Sequence, residues 1–165
     1  LVHVRALLAD PSRTIVIEGD VRDPAVSILA NPQLRDFIDF RRPVGVVATA
    51  ILHFVSDVED PARIVAAFRN VMAPGSALVI THVVDAGDAG IREGADIYSD
   101  TTAPFVPRSG AQVAAWFNGF RLVPPGLVEA DAWRRAGNGR TTAPIVAGVG
   151  VLDHSPERGP SRGVG

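Results

Sequence analysis

Two residues in this sequence stand where chemistry is usually presented. His53 closes Val44-Gly-Val-Val-Ala-Thr-Ala-Ile-Leu-His53, and Asp20 closes Ile15-Val-Ile-Glu-Gly-Asp20. Each ends an apolar, β-branched run, the pattern of a buried strand delivering a polar group to the carboxyl edge of an open α/β sheet. An imidazole titrates near neutrality and can hold or release a proton there. A carboxylate at that edge can accept hydrogen bonds from a ligand, or only cap its own turn. His82 ends a second buried run and either faces the same cleft or is a polar strand end. Glu93, Asp96 and Tyr98 could reach a substrate from a loop or stay solvated, while His3 and His154 look peripheral. The chain has no Cys, which excludes disulfides, thiolate metal sites and a Cys nucleophile. No His, Asp and Glu spacing suggests a tetrahedral metal site, and no Gly-x-Ser-x-Gly elbow marks a hydrolase.

These groups need elements to hold them. Thr14–Ile17 reads as a short strand feeding a βα loop, Glu18 to Pro24. Two short helical pieces follow, Pro24 to Ala30 and Pro32 to Phe40, with Asn31 as a cap and Pro32 at the first helical position. The run from Val44 to Leu52 reads as a strand buried on both faces, with a polar stop at Ser56-Asp57. Asp60-Pro61 opens the clearest helix, whose stripe is Ile64, Val65, Phe68, Val71 and Met72 and whose stop is Pro74-Gly75. Ser76 to Val84 is another buried strand. Strand and helix alternate with connections too long for hairpins, which predicts a parallel sheet with crossover helices.

Downstream, Asp85 to Gly94 reads as a loop or the start of a weak helix, and Thr101 to Arg108 as extended chain. Ser109-Gly-Ala-Gln112 matches a capping box before Val113, Trp116 and Phe117, which fit a core stripe better than an aromatic clamp. Phe120 to Val128 is a strand broken by Pro124-Pro125, and Trp133 to Thr142 a surface loop. Ile145 to Leu152 is a last strand whose Gly148 and Gly150 relieve crowding rather than form a ligand loop. Leu1 to Asp10 has helical spacing, and the run rich in Pro, Gly, Ser and Arg from Ser155 to Gly165 has little to bury and is expected to be a disordered tail.

With 165 residues, 47% of them hydrophobic, the chain can fill one core. A net charge of −2 makes no electrostatic case for nucleic acid or an anionic membrane. Every basic residue is Arg, which fits codon bias from a GC-rich genome. No signal-peptide pattern or membrane-length apolar run is present, so a cytoplasmic location is expected.

Three segments together carry a family resemblance: Ile15 to Asp20; Ala50-Ile-Leu-His-Phe-Val-Ser-Asp57; and Asp60-Pro-Ala-Arg-Ile-Val65 with Met72-Ala-Pro-Gly-Ser-Ala-Leu-Val-Ile80. They resemble the third-, fourth- and fifth-strand signatures of class I S-adenosylmethionine-dependent methyltransferases. Asn31 to Pro43, Ser99 to Phe105 and Phe117 to Val128 sharpen the likeness to a bacterial subfamily of largely unassigned substrate. It runs from Leu1 to about Asp153, so residues 1–153 are expected to form a partial methyltransferase domain.

The resemblance implies a Rossmann-like α/β sheet, mostly parallel, with an antiparallel last strand. It implies S-adenosyl-L-methionine as cofactor and O- or N-methylation of a small molecule. On that basis Asp20 would accept from the adenine amino group, Val21 would give a backbone contact, and Ala48, Thr49, His53 and Phe54 would line the cofactor. His53 matches the general base of O-methyltransferases carrying a Leu-His-Asp-Trp run, although Phe54 and Val55 replace the last pair here. The alternative is a His packed over the cofactor or satisfied in the core.

By the same resemblance the family's first two strands, its Gly-rich loop and the acidic residue for the ribose would precede Leu1. Losing those contacts would remove roughly 3–6 kcal/mol of cofactor binding. The absent strands would lie between Thr14–Ile17 and the strand at Val44, so these two either pair directly or leave an edge that recruits another chain, as in a homo-oligomer. A rival reading is a non-catalytic remnant that binds a partner through that edge. A Rossmann oxidoreductase would fit the sheet but not the Leu-His-Phe and Met-Ala-Pro-Gly-Ser runs.

Overall fold

The computed structural model describes residues 13–85, 104–133 and 144–153. Strand β1 is Gly45–Thr49, β2 Ala77–Val83, β3 Arg121–Leu122, β4 Val128–Glu129 and β5 Ile145–Val151. Helix α1 is Pro24–Ser27, α2 Pro32–Phe37, α3 Pro61–Arg69 and α4 Gly110–Ala115, with short 3-10 turns at Leu52–Phe54, Asp57–Glu59 and Ala130–Ala132. The sheet order is β1-β2-β5-β3, with β4 also on β5.

β1 and β2 run parallel, from Gly45 opposite Ala77 to Thr49 opposite Thr81, and α3 makes the crossover between them. β5 runs antiparallel to β2, as the resemblance implied, and the two short strands β3 and β4 pair antiparallel with β5. The break between β3 and β4 falls at Pro124-Pro125, with Gly126 at φ +93° completing the turn.

The helix starts follow their capping chemistry. Asn31 accepts from the N–H groups of Gln33 and Leu34, Asp60 from that of Arg63, and Ser109 with Gln112 forms the expected capping box. α3 stops sooner than its apolar stripe suggests. After Arg69 the chain tightens into i→i+3 bonds, with Val71 N–H to the Phe68 carbonyl and Met72 N–H to that of Arg69. Val71 therefore points outward and is exposed, while Met72 stays buried.

One face of the sheet holds the core. Leu78, Ile80 and His82 alternate along β2 and are buried, and Gly150, Gly148 and Val146 stand opposite them on β5. Leu52, Val55, Ile64, Val65, Val113, Trp116 and Phe117 complete that cluster, so Trp116 and Phe117 are core residues. The opposite face is only half-buried, which corrects the expectation that the run from Val44 is covered on both sides. β1 alternates exposed and half-buried residues, and Val47 is 66% exposed, because among the described residues β1 has a neighbour on one edge only.

Among the described residues the expected strand at residues 14–17 is likewise not formed: they belong to no strand and are not paired with β1. The predicted segments Leu1 to Asp10 and Ser155 to Gly165, and most of the loops at 85–94 and 133–142, lie outside the described residues.

Candidate functional site

β1 ends abruptly. Ala50 has φ +53°, a left-handed conformation uncommon for a residue with a Cβ, and its N–H donates to the Thr81 hydroxyl at 3.0 Å. The reversal sends the chain into the 3-10 turn Leu52–Phe54. With three residues per turn, neighbouring side chains there point about 120° apart. Leu52 and His53 therefore face different surroundings.

Leu52 and Ile51 help line a cleft of about 910 Å³ that runs along β1. Val46, Ala48 and Leu78 supply its floor, α3 supplies Ile64, Val65 and Phe68, and the loop from Glu18 to Arg22 supplies its polar rim. That loop is pinned to α1. The Ser27 hydroxyl accepts from the Asp20 N–H at 2.9 Å and lies 2.6 Å from the Asp20 carbonyl. Gly19 permits the approach, because a Cβ there would sit 2.6 Å from Ile28 Cγ1.

The Asp20 carboxylate accepts from the Arg22 backbone N–H and Nε, each at 2.9 Å, and from the guanidinium NH2 at 2.6 Å. The side-chain hydrogen bonds of Arg22 foremost, then its backbone bond, hold the Asp20 carboxyl at about 2. Glu59 stands 3.5 Å from the same guanidinium, and bonds from Ser56 lower its pKa.

His53 is buried and does not line the cleft. Its ring meets Phe54 at 4.5 Å, Phe105 at 5.2 Å and His82 at 5.5 Å between centroids, and its Nδ1 is buried without a hydrogen-bond partner. Burial first, and the Arg108 charge second, push the His53 pKa below the ordinary imidazole value. His82 is fully buried, its Nδ1 lies 2.6 Å from the Val83 carbonyl, and burial pushes it down to about 4. Both shifts favour the neutral ring.

Of the residues expected to contact a cofactor, Asp20, Val21 and Ala48 come together in the cleft, whereas Thr49, His53 and Phe54 do not line it. Ile51, Leu52, Arg22 and Ser27 belong to the site without having been singled out by sequence. Only Arg22 left a signal, the charge two residues from Asp20. Glu93, Asp96 and Tyr98 lie outside the described residues, among which no group of His, Asp and Glu is placed to hold a metal ion. No described helix is long and apolar enough to cross a membrane.

Known structures share this fold. A candidate methyltransferase from Thermobifida fusca YX superimposes with a TM-score of 0.84 at 34% identity over 93% of this chain. A DUF574 family protein from Streptomyces avermitilis MA-4680 does so with 0.80 at 33% identity over 89%. The chain spans 59% of the length of each. An O-methyltransferase family protein from Burkholderia thailandensis, at 15% identity and a TM-score of 0.57, covers 94% of this chain and 40% of its own, and shares the fold. A comparison with curated protein sequences returns no match. The profile of the S-adenosyl methyltransferase family matches residues 1–153, and the chain belongs to that family, with the class I fold.

Proposed function

We propose that this chain takes part in S-adenosylmethionine-dependent methyl transfer to a small-molecule acceptor, at oxygen or nitrogen. The observation that carries the reading is the cleft along β1, apolar on its walls and rimmed by the Asp20 carboxylate. Those residues fit an adenosyl group: apolar walls suit the adenine faces, and an ionised carboxylate suits its amino donor. When bound, the cofactor supplies a sulfonium methyl for an oxygen or nitrogen nucleophile, whose proton leaves to a base.

Asp20 would accept from the adenine amino group, sharing its carboxylate with Arg22, and Val21 would offer its backbone. Ala48 is small enough to let a ring lie against β1. Thr49 and Phe54 adjoin the wall in sequence and would complete the pocket. His53 would be the proton acceptor: burial lowers its pKa, which favours the neutral ring, and its Nδ1 has no hydrogen-bond partner among the described residues.

Titration calorimetry with S-adenosylhomocysteine tests the reading. Saturable binding that weakens in Asp20→Asn is expected, and no binding at millimolar ligand would overturn it. The exposed Val47, on a strand with one edge that no described strand covers, favours a second reading, a binding module that pairs with another strand. A dimer whose assembly is blocked by Val47→Lys, in a chain that does not bind S-adenosylhomocysteine, would favour that one.

A further inference from the structure

Arg108 is buried, 4% exposed, and each of its five N–H donors has an acceptor. Nε donates to Asp57 Oδ1 at 3.1 Å, and NH2 donates to the same oxygen at 2.7 Å and to the Val55 carbonyl at 2.7 Å. NH1 reaches the Leu52 carbonyl at 3.2 Å and His82 Nε2 at 3.4 Å. The Val83 carbonyl fixes the proton of His82 on Nδ1, so Nε2 is free to accept. The guanidinium also lies 5.4 Å from the Trp116 ring centroid.

The Leu52 and Val55 carbonyls bracket His53 and Phe54. The same turn is held from the Arg108 side of the chain by a second bond, from the Val106 N–H to the His53 carbonyl at 2.7 Å. Arg108 itself is joined to the end of β2, its N–H donating to the Val83 carbonyl. A buried charge is weak as a source of stability, because desolvation offsets what its partners return. What five directed bonds provide is geometry.

We propose that Arg108 is a positioning residue of the candidate site: it clamps both ends of the Leu52–Val55 turn to β2, and so fixes the Leu52 wall of the cleft and the seat of His53. It touches no part of the cleft itself. The proposal rests on the methyl-transfer reading for its ligand assay, and its second readout is independent of that reading.

Arg108→Lys and Arg108→Met, in the full chain, test it. A Lys ammonium is a point charge with three donors and cannot span two carbonyls, Asp57 and His82 together. Displacing the turn should weaken S-adenosylhomocysteine binding about tenfold or more in both variants. Imidazole resonances followed by NMR should shift for His53 and His82 in both, and in Arg108→Met both rings should titrate closer to the ordinary value. Asp57→Asn, which keeps the Oδ1 acceptor but removes the counter-charge of the guanidinium, should weaken binding less than either Arg108 variant. Should Arg108→Met fail to fold, Arg108→Lys and Asp57→Asn carry the comparison. Folded Arg108 variants with parental affinity and unchanged histidine spectra overturn the proposal. If the parent chain binds no ligand, the methyl-transfer reading fails, and the histidine spectra alone decide the role of Arg108.

Discussion

The hydroxyl of Thr81 accepts a hydrogen bond from the Ala50 N–H across 31 residues of chain, and thereby holds a left-handed alanine at the end of β1. That conformation costs an L-residue about 1–2 kcal/mol. Thr81→Val keeps the β-branched shape and removes the acceptor, so stability should fall by about 1 kcal/mol. Ala50→Gly relieves the Cβ but loosens the unfolded chain, and should be neutral to slightly stabilising. Urea midpoints measure both. A clear destabilisation by Ala50→Gly would show that the turn stores no strain.

Asp20 and Arg22 form an exposed ion pair whose role is better sought in ligand affinity than in folding. Surface pairs contribute little to stability, so Asp20→Asn should leave the melting temperature nearly unchanged. A hydrogen bond to a charged group is worth about 1.5–3 kcal/mol, so S-adenosylhomocysteine affinity should fall about tenfold to a hundredfold. Equal affinity in the variant, by calorimetry, would remove Asp20 from the adenosyl site.

How much of this was legible in the sequence divides along local and non-local lines. Caps and stops are encoded within a few residues, which is why Asn31, Asp60 and the Ser109–Gln112 box were readable. Asp20, Val21 and Ala48 could be named together because the resemblance covers both segments that meet at the cleft. The burial of β1 could not be read, since an apolar run says what a strand wants to bury and not which neighbours it has. The direction of His53 was hidden too: a strand pattern hides a left-handed residue at Ala50, and the turn after it decides which side chain faces the cleft. Arg108 left no signal, because its four acceptors lie 26 to 56 residues away.

His53 offers a test in which stability and activity should move in opposite directions. Its buried Nδ1 has no hydrogen-bond partner among the described residues, a cost of about 1–3 kcal/mol. His53→Phe places an apolar ring among Phe54, Phe105 and His82 and should raise the melting temperature. As a proton acceptor, His53 would be worth about 10²–10⁴ in rate, so methylation of any acceptor the parent turns over should collapse. A variant that is more stable and equally fast would make the ring a core residue only.

His82 predicts an acid limit. Its folded pKa of about 4 lies below the ordinary imidazole value of about 6.5, so the unfolded chain binds more protons between those limits. Stability should be full above about pH 6.5 and fall towards pH 4, by about 3 kcal/mol from this ring. His53, shifted in the same direction, adds to the slope. In His82→Gln the pH dependence of the urea midpoint should flatten over that window. An unchanged slope would assign the acid limit elsewhere.

The glycines of the sheet separate by what stands over them. A Cβ on Gly150 would lie 2.8 Å from both Phe117 Cδ1 and Phe120 Cβ, whereas one on Gly45 meets nothing within 4 Å. β5 is held by ladders on both sides and cannot retreat from Phe117 and Phe120 in the turn after α4, so Gly150→Ala should cost about 1–3 kcal/mol as overpacking. Gly45→Ala, on β1, should be neutral or stabilising, because glycine weakens a strand that has room for a side chain. Thermal melts of the two variants decide it. If they prove equally stable, the aromatic pair Phe117 and Phe120 has freedom to repack, and the small residues of β5 have no packing reason.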